Sequence, residues 1–309
     1  MQWLYLSMTF ALISWISPLA VMGWDQTLQE LIVEDNEVLD DEAIIQRLDQ
    51  LPSATDLRVI WIEAGARSQI TDALLVAIGE RCPNLEGLML HADRITDEGV
   101  AALVSRCHDL RLLFLGAHTH GQLTDRTAQL IVDSCNRLAF LDFYQQPFIT
   151  DVGVEIMLHR CKRLEEFRLT GCFDPTSLIG PELSGSGRVH IPGPLTDRSL
   201  DALATYGFRL VSLCLDFNPH ITLNGVRKVV ESCPNLAFLS AVGVQFDDYA
   251  LHEMATAFPN LNITWGWPNI QFIGKFFGED DGGDEECDCG CQDDIPHDHL
   301  RQLARRLII

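Results

Sequence analysis

Apolar and polar positions recur along this chain as one repeated phrase. It opens L-x-x-L-x-L, passes through a polar stretch to [IL]-T-D or a close relative, and closes on an apolar stretch ending in Cys or a substitute. The opening leucines are Leu57, Leu85, Leu110, Leu138, Leu164, Leu210 and Leu236, spaced 28, 25, 28, 26, 46 and 26 residues apart. The alternation in the first part predicts a short strand, with Leu to one side and the intervening residues to the other. Val100, Leu103 and Val104, with their equivalents in other copies, stand at helical spacing and predict a helix lying on those strands. Thr71, Thr96, Thr124, Thr150 and Thr196 occupy the N-cap place, each followed by Asp. A hydroxyl there accepts from a free backbone N–H, and the carboxylate suits the positive end of the helix dipole. The T-D pair therefore reads as structure and not as catalysis.

A strand–turn–helix unit returning every mid-twenties of residues with this leucine grammar is the leucine-rich-repeat signature. No unit buries both of its faces alone, so the stack must be continuous. The expected fold is an α/β solenoid over residues 28–268, curved, with parallel strands on the concave face and helices on the convex face. The long interval holds an insertion, 173–194, dominated by Gly, Pro and Ser and therefore a loop. Its place beside the concave rim would let it lie over a bound partner, or it is an idle insertion. Residues 1–27 admit two readings. Met1–Trp24 carries no charged side chain and is long enough for an export signal or anchor. Alternatively, Leu4 and Leu6 match Leu88 and Leu90 of a degenerate repeat, followed by another at Leu28, Leu31 and Val33, with Val38-Leu39-Asp40-Asp41 in place of I-T-D.

The net charge of −22 argues against a nucleic-acid binder, which needs Lys and Arg against phosphates, and favours basic partners. Part of the excess is local: residues 279–298 hold ten acids and no Lys or Arg. Cys82, Cys107, Cys135, Cys161 and Cys233 share one repeat position, filled elsewhere by Gly207 and Phe258, which marks a small buried slot. Slots one repeat apart are too distant for disulfides, so these thiols should be free. That implies a reducing compartment, cytoplasmic or nuclear, with a secreted or membrane-anchored protein as the alternative.

In the acidic tail, 269–299, Cys287, Cys289, Cys291, His297 and His299 are candidate zinc ligands, but C-x-C-x-C lacks the C-x-x-C knuckle. Such a tail is expected to be disordered. Residues 300–309 place Leu300, Leu303, Ala304, Leu307 and Ile308 on one helical face with Arg301, Arg305 and Arg306 opposite, a segment suited to docking on the solenoid or on a partner. No nucleophile elbow, P-loop, H-E-x-x-H or Rossmann glycine pattern stands in a fitting context. The expectation is a binding protein with no cofactor, no catalytic residues and no membrane partner.

If the strand leucines point inward, the alternate positions face the concave side. They bring together Trp61, Met89, Leu112, Phe114, Phe140 and Tyr144 as an aromatic and apolar cluster, with His91, Asp142, Glu166, Arg168, Asp216 and Phe238 around it. A solvated sheet face does not need such residues, and aromatics and Arg are common hot spots. These residues are expected to stand bare as a protein-binding surface, unless the tail or the N-terminal segment folds over them.

The run from Leu57 to Pro259 resembles the cysteine-containing repeats of F-box/leucine-rich-repeat proteins. The resemblance is carried by Ile95-Thr96-Asp97-Glu98-Gly99-Val100 followed by Leu103, Cys107 and Leu110, and by LEEFRLTGC at Leu164–Cys172. It implies a protein substrate or partner on the concave face and a role similar to a substrate receptor of a ubiquitin ligase. The F-box that would contact ligase subunits is not found ahead of the first clear repeat, and the second cysteine of the class survives only at Cys172.

Overall fold

In a computed structural model, residues 2–7, 28–35, 39–51, 53–65, 67–118, 121–170, 195–242, 244, 253–254 and 256–266 are described. The expected insertion, the acidic tail with its Cys and His residues, and residues 300–309 lie outside them. Among the described residues, ten strands form one sheet in which every neighbour is the next strand along the chain. They are β1 (Gln2–Ser7), β2 (Leu28–Asp35), β3 (Val59–Ala64), β4 (Gly87–His91), β5 (Leu112–Gly116), β6 (Phe140–Tyr144), β7 (Glu166–Arg168), β8 (Ser212–Cys214), β9 (Phe238–Val242) and β10 (Asn262–Gly266). All of these pairings are parallel. The helices between strands are α1 (Asp41–Gln50), α2 (Asp72–Arg81), α3 (Asp97–Val104), α4 (Asp125–Ser134), α5 (Asp151–Arg160), α6 (Asp197–Tyr206) and α7 (Leu223–Ser232). This is the α/β leucine-rich-repeat solenoid. Strands stack about 4.8 Å apart while helices need about 10 Å, so the strand side must become the inside of the bend.

The main core lies between sheet and helices. The inward strand positions fill it: Ile60, Ile62, Leu88, Leu90, Leu113, Leu115, Leu141 and Phe143 meet Leu74, Ile78, Val100, Leu103, Ile131 and Val154 from the helices. The ladder cysteines sit in the same core, buried and free. The Cys107 thiol donates to the Cys82 carbonyl at 3.4 Å and Cys135 to the Cys107 carbonyl at 3.5 Å. Burial pushes these two thiols up, Cys107 to about 11 and Cys135 to about 12, so they are poor nucleophiles.

The T-D pairs do more than cap their own helices. Each Thr hydroxyl accepts from a first-turn N–H of its own helix, as Thr96 does from Glu98 at 3.2 Å. The same hydroxyl donates to the Asp of the preceding repeat. Asp41 thus receives Thr71, Asp72 receives Thr96, Asp97 receives Thr124, Asp125 receives Thr150, Asp151 receives Thr196, and Asp197 receives Thr222. Hydroxyl distances run from 2.5 to 2.6 Å and backbone N–H distances from 2.7 to 3.0 Å. The carboxylate expected at its own helix dipole therefore serves the next repeat's cap, which ties the modules together. A third position completes the joint. A Cβ on Gly99, Gly153 or Gly225 would run into the carboxylate of Asp72, Asp125 or Asp197. Where that position is Thr127 or Ser199, its hydroxyl donates to Asp97 or Asp151 instead.

Candidate protein-binding face

Alternation along the strands places one set of side chains away from the helices, and the parallel register lines them up in rows. One row runs Ile32, Trp61, Met89, Phe114, Asp142, Arg168, Cys214 and Ser240. A second runs Val59, Gly87, Leu112, Phe140, Glu166, Ser212 and Phe238. Of the predicted surface residues, Trp61, Met89, Leu112, Phe114, Phe140, Asp142, Glu166, Arg168 and Phe238 fall in these rows, His91 and Tyr144 share a third with Gly116, and Asp216 follows β8. The rows are mainly apolar across β2–β6 and, Phe238 apart, mainly polar beyond.

The expectation that this ribbon stands bare is not met in its apolar half. Ile32, Val59, Trp61, Met89, Leu112, Phe114 and Phe140 form a second buried cluster, separate from the main core, with Tyr144 against it. Trp61 and Phe114 are 6% exposed, and Leu112 and Phe140 are 0% exposed. The polar half is also largely shut, since Asp142, Glu166 and Asp216 are buried. Apolar side chains of this size leave water wherever a second layer is within reach. His91, Tyr144 and Arg168 keep partial exposure, and Phe238 is 53% exposed between Ser212 and Asn262.

At the edge of the apolar half, the rings of His91, Phe114, Tyr144 and His118 gather. The His91 ring meets Phe114 edge-on at 4.6 Å and Tyr144 at 5.8 Å, and stacks on His118 at 5.2 Å. Gly116 lies between His91 and Tyr144 in register, and a Cβ there would strike the His91 ring. His118, which follows β5, is fixed by a 2.6 Å contact between its Nε2 and the Ala64 carbonyl. Its partner lies 54 residues back, so no local signal announces it.

The polar half is a connected set. Arg168 Nε lies 3.2 Å from Asp142 Oδ2. Asp142 Oδ1 is buried and has no hydrogen-bond partner. Burial pushes the Asp142 carboxyl up to about 6; Arg168 opposes that shift and Asp216 adds to it. Asp216 accepts from the Val242 N–H at 2.7 Å, from the Ser240 hydroxyl at 2.8 Å and from the Cys214 thiol at 3.2 Å. Cys214 in turn meets Thr170 Oγ1 at 3.1 Å.

Behind the strands, Gln146 and Asn218 occupy the repeat position that Cys172 holds, eight residues after the opening Leu. Asn218 donates to the carbonyls of Leu169 at 2.7 Å and Leu215 at 3.0 Å, and Gln146 Oε1 accepts from the Leu123 N–H at 3.2 Å. Each follows a residue with positive φ, Gln145 at 57° and Phe217 at 59°. In these two repeats an amide that binds backbone groups stands at the position of the second cysteine. Among the described residues, no group of three or more His, Cys, Asp or Glu is placed to hold a metal, and no helix is long and apolar enough to cross a membrane.

No family model matches the chain. It is 26% identical over 216 residues to the F-box protein FBX14 of Arabidopsis thaliana, a match spanning 64% of this chain and 34% of that protein. It is 24% identical over 149 residues to the F-box/LRR-repeat protein 4 of Bos taurus, spanning 37% of this chain and 24% of that one. The chain thus spans about a third or less of the length of these curated relatives. Among solved structures it is similar to one of the yeast Rad7–Elc1 complex at 20% identity and a TM-score of 0.47, covering 76% of this chain and 69% of that one. Over its repeats, then, this leucine-rich-repeat solenoid is similar at low identity to F-box/LRR-repeat proteins.

Proposed function

We propose that the chain is a protein-interaction solenoid whose concave face receives a protein partner, and that it serves as the substrate-recognition part of a ubiquitin-ligase assembly. The observation that supports partner binding is the open end of the concave face. Phe238 presents a large aromatic ring to solvent, on the same face as Arg168 and the partly exposed Ser212 and Ser240. Aromatic rings and guanidinium groups are the side chains most enriched at interface hot spots. His91 and Tyr144 give the partner a second, ring-lined contact along the rim. With an overall charge of −22, a partner with basic character is favoured in approach. The link to ubiquitin ligation is supported by the names of the relatives and by the repeat resemblance, and ligase subunits are the second class of partner.

Affinity capture with the full chain tests both parts. Recovery of ligase scaffold subunits together with a distinct protein is expected, and Phe238→Asp and Tyr144→Ala should each lose the distinct protein while keeping the fold. Capture unaltered by both substitutions would remove this face as the binding surface. Capture without any ligase component would remove the ubiquitin role.

A further inference from the structure

Each of α2–α7 runs into the repeat position held by Cys or, after α6, by Gly207, and the five residues centred there lead into the next strand. Counted over Asp, Glu, Lys and Arg, the turns at 80–84, 105–109 and 133–137 each hold one acid and one cation, and the turn at 231–235 holds one acid. The turn at 159–163 holds Arg160, Lys162 and Arg163 with no acid, and the one at 205–209 holds Arg209 with no acid. Cations suit the negative end of a helix dipole. Yet α2, α3 and α4 end in turns of balanced charge, so helix termination does not account for the surplus after α5.

Neighbouring repeats do not neutralise it. Arg160 lies 3.5 Å from Asp133 and Arg209 3.4 Å from Glu165, both loose pairs with exposed guanidinium groups. Lys162 and Arg163 are exposed, and among the described residues neither meets a carboxylate. Lys162 Nζ instead donates to the Leu158 carbonyl at 3.3 Å and lies 4.5 Å from the centre of the Tyr206 ring. Apolar surface stands in the same place. Phe208 holds the repeat position of Lys162 one module on, and it is 51% exposed. Between α4, α5 and α6 a shallow groove of about 290 Å³ is lined by Gln129, Glu155, Ile156, His159, Arg160 and Tyr206. Tyr206, edge-on to His159 at 5.3 Å, belongs both to this groove and to the Lys162 contact, so groove and cationic turn form one surface.

We propose that this surface, on the helix side of the solenoid, binds a short acidic segment of a partner protein that carries an aromatic or large aliphatic side chain among its acids. Charge complementarity selects the occupant. Carboxylates of the segment meet Lys162 and Arg163, the two cations that lack a counter-charge, and its apolar side chain covers Phe208 or enters the groove beside Ile156 and Tyr206. Aromatic rings flanked by guanidinium groups are the side chains that interfaces use as anchors. The segment must be short. Charges act over about 8 Å at physiological salt, and a long polyanion such as a nucleic acid would run from this patch onto the surface of a chain whose net charge is −22. The site goes beyond the concave-face reading and leaves that face open to a different partner.

Panning a random dodecapeptide display library on the full chain, with counter-selection on Lys162→Glu/Arg163→Glu, tests it. Peptides held by the wild type and not by the variant should be rich in Asp and Glu around an aromatic or large aliphatic residue. The tightest of them, read by fluorescence anisotropy, should bind Lys162→Glu/Arg163→Glu about tenfold more weakly or worse. It should bind Phe208→Ser severalfold more weakly and Phe238→Asp, on the concave face, as it binds wild type. Lys162→Gln/Arg163→Gln, which removes charge without reversing it, should also weaken binding and covers the case in which the Glu variant misfolds, as checked by circular dichroism. Raising the salt from about 50 to about 500 mM should weaken binding severalfold. A selected pool without acidic enrichment, or equal binding by wild type and both double variants, overturns the proposal. So does tighter binding of a single-stranded RNA dodecamer at the same residues. Loss of binding in Phe238→Asp alone would return the peptide to the concave face and equally overturn it.

Discussion

Replacing Asp97 by Asn probes the joint between repeats. Asp97 is buried and accepts from the Thr124 N–H at 3.0 Å, the Thr124 hydroxyl at 2.6 Å and the Thr127 hydroxyl. Asn keeps the shape but presents an NH₂ donor where a carboxylate oxygen accepted. With the amide oxygen in the Oδ1 place, the NH₂ faces the Thr124 hydroxyl that donated to Oδ2, the charge that all three donors met is gone, and the site is partly buried. Hydrogen bonds to charged groups contribute about 1.5–3 kcal/mol each, and an orphaned buried donor costs about 1–3 kcal/mol. The expected loss is about 2 kcal/mol, a sizeable share of the stability of a domain of ordinary size. Urea unfolding followed by circular dichroism gives this number. Hydrogen exchange should place the loss at α3 and α4, because contacts in a solenoid are to neighbours only. The control is Arg126→Ala, which removes an ion pair to Glu98 whose partners are both mostly exposed, and should leave stability close to that of the wild type. A loss under about 1 kcal/mol for Asp97→Asn, or one equal to the control, would refute the inter-repeat account. The pH dependence has a fixed sign. Burial raises the Asp97 carboxyl, but the hydrogen bonds from Thr124 and Thr127 outweigh it and hold it below its ordinary 3.8. Its contribution is therefore present above that value and lost as pH falls through the lowered one.

Three further outcomes are expected. Asp142, with its carboxyl at about 6 in the folded chain against an ordinary 3.8, stabilises fully below 3.8 and loses that contribution as pH rises through about 6. Wild type should gain about 1 kcal/mol more than Asp142→Asn on going from about pH 7 to about pH 5 in parallel urea titrations, and equal gains would refute it. The ladder thiols should resist thiol-disulfide reagents at mildly alkaline pH in the native chain and react fully in denaturant, counted by mass spectrometry; prompt native labelling of Cys107 or Cys135 would contradict their burial. Gly99→Ala should destabilise by about 1–3 kcal/mol as its methyl meets the Asp72 carboxylate. Gly99→Ser should cost less, because a hydroxyl there can donate as Ser199 does to Asp151; equal thermal midpoints for the two variants would count against that joint.

The architecture is legible in the chain because each repeat packs mainly against its neighbours, so a local phrase states a local structure. Leucine alternation gives the strand and its inward face, Thr gives the cap, and the shared Cys position gives a small buried slot. Even the degenerate Asp40-Asp41 keeps both roles, capping α1 and receiving Thr71. The candidate face is legible to the same depth: alternation alone places Trp61, Phe114, Arg168 and Phe238 on the concave side. What alternation does not state is what stands opposite a side chain. Trp61 and Phe238 obey the same rule, yet one is buried and the other open, because burial depends on what packs around a side chain in the assembled stack. The same holds for His118 at Ala64, for the Thr124 hydroxyl at Asp97, and for the Arg168–Asp142 pair, each a contact between repeats. Sequence by itself determined the module and which way its side chains turn; only the tertiary structure decided which of them water still reaches, since water exclusion belongs to the assembled stack and not to any one unit.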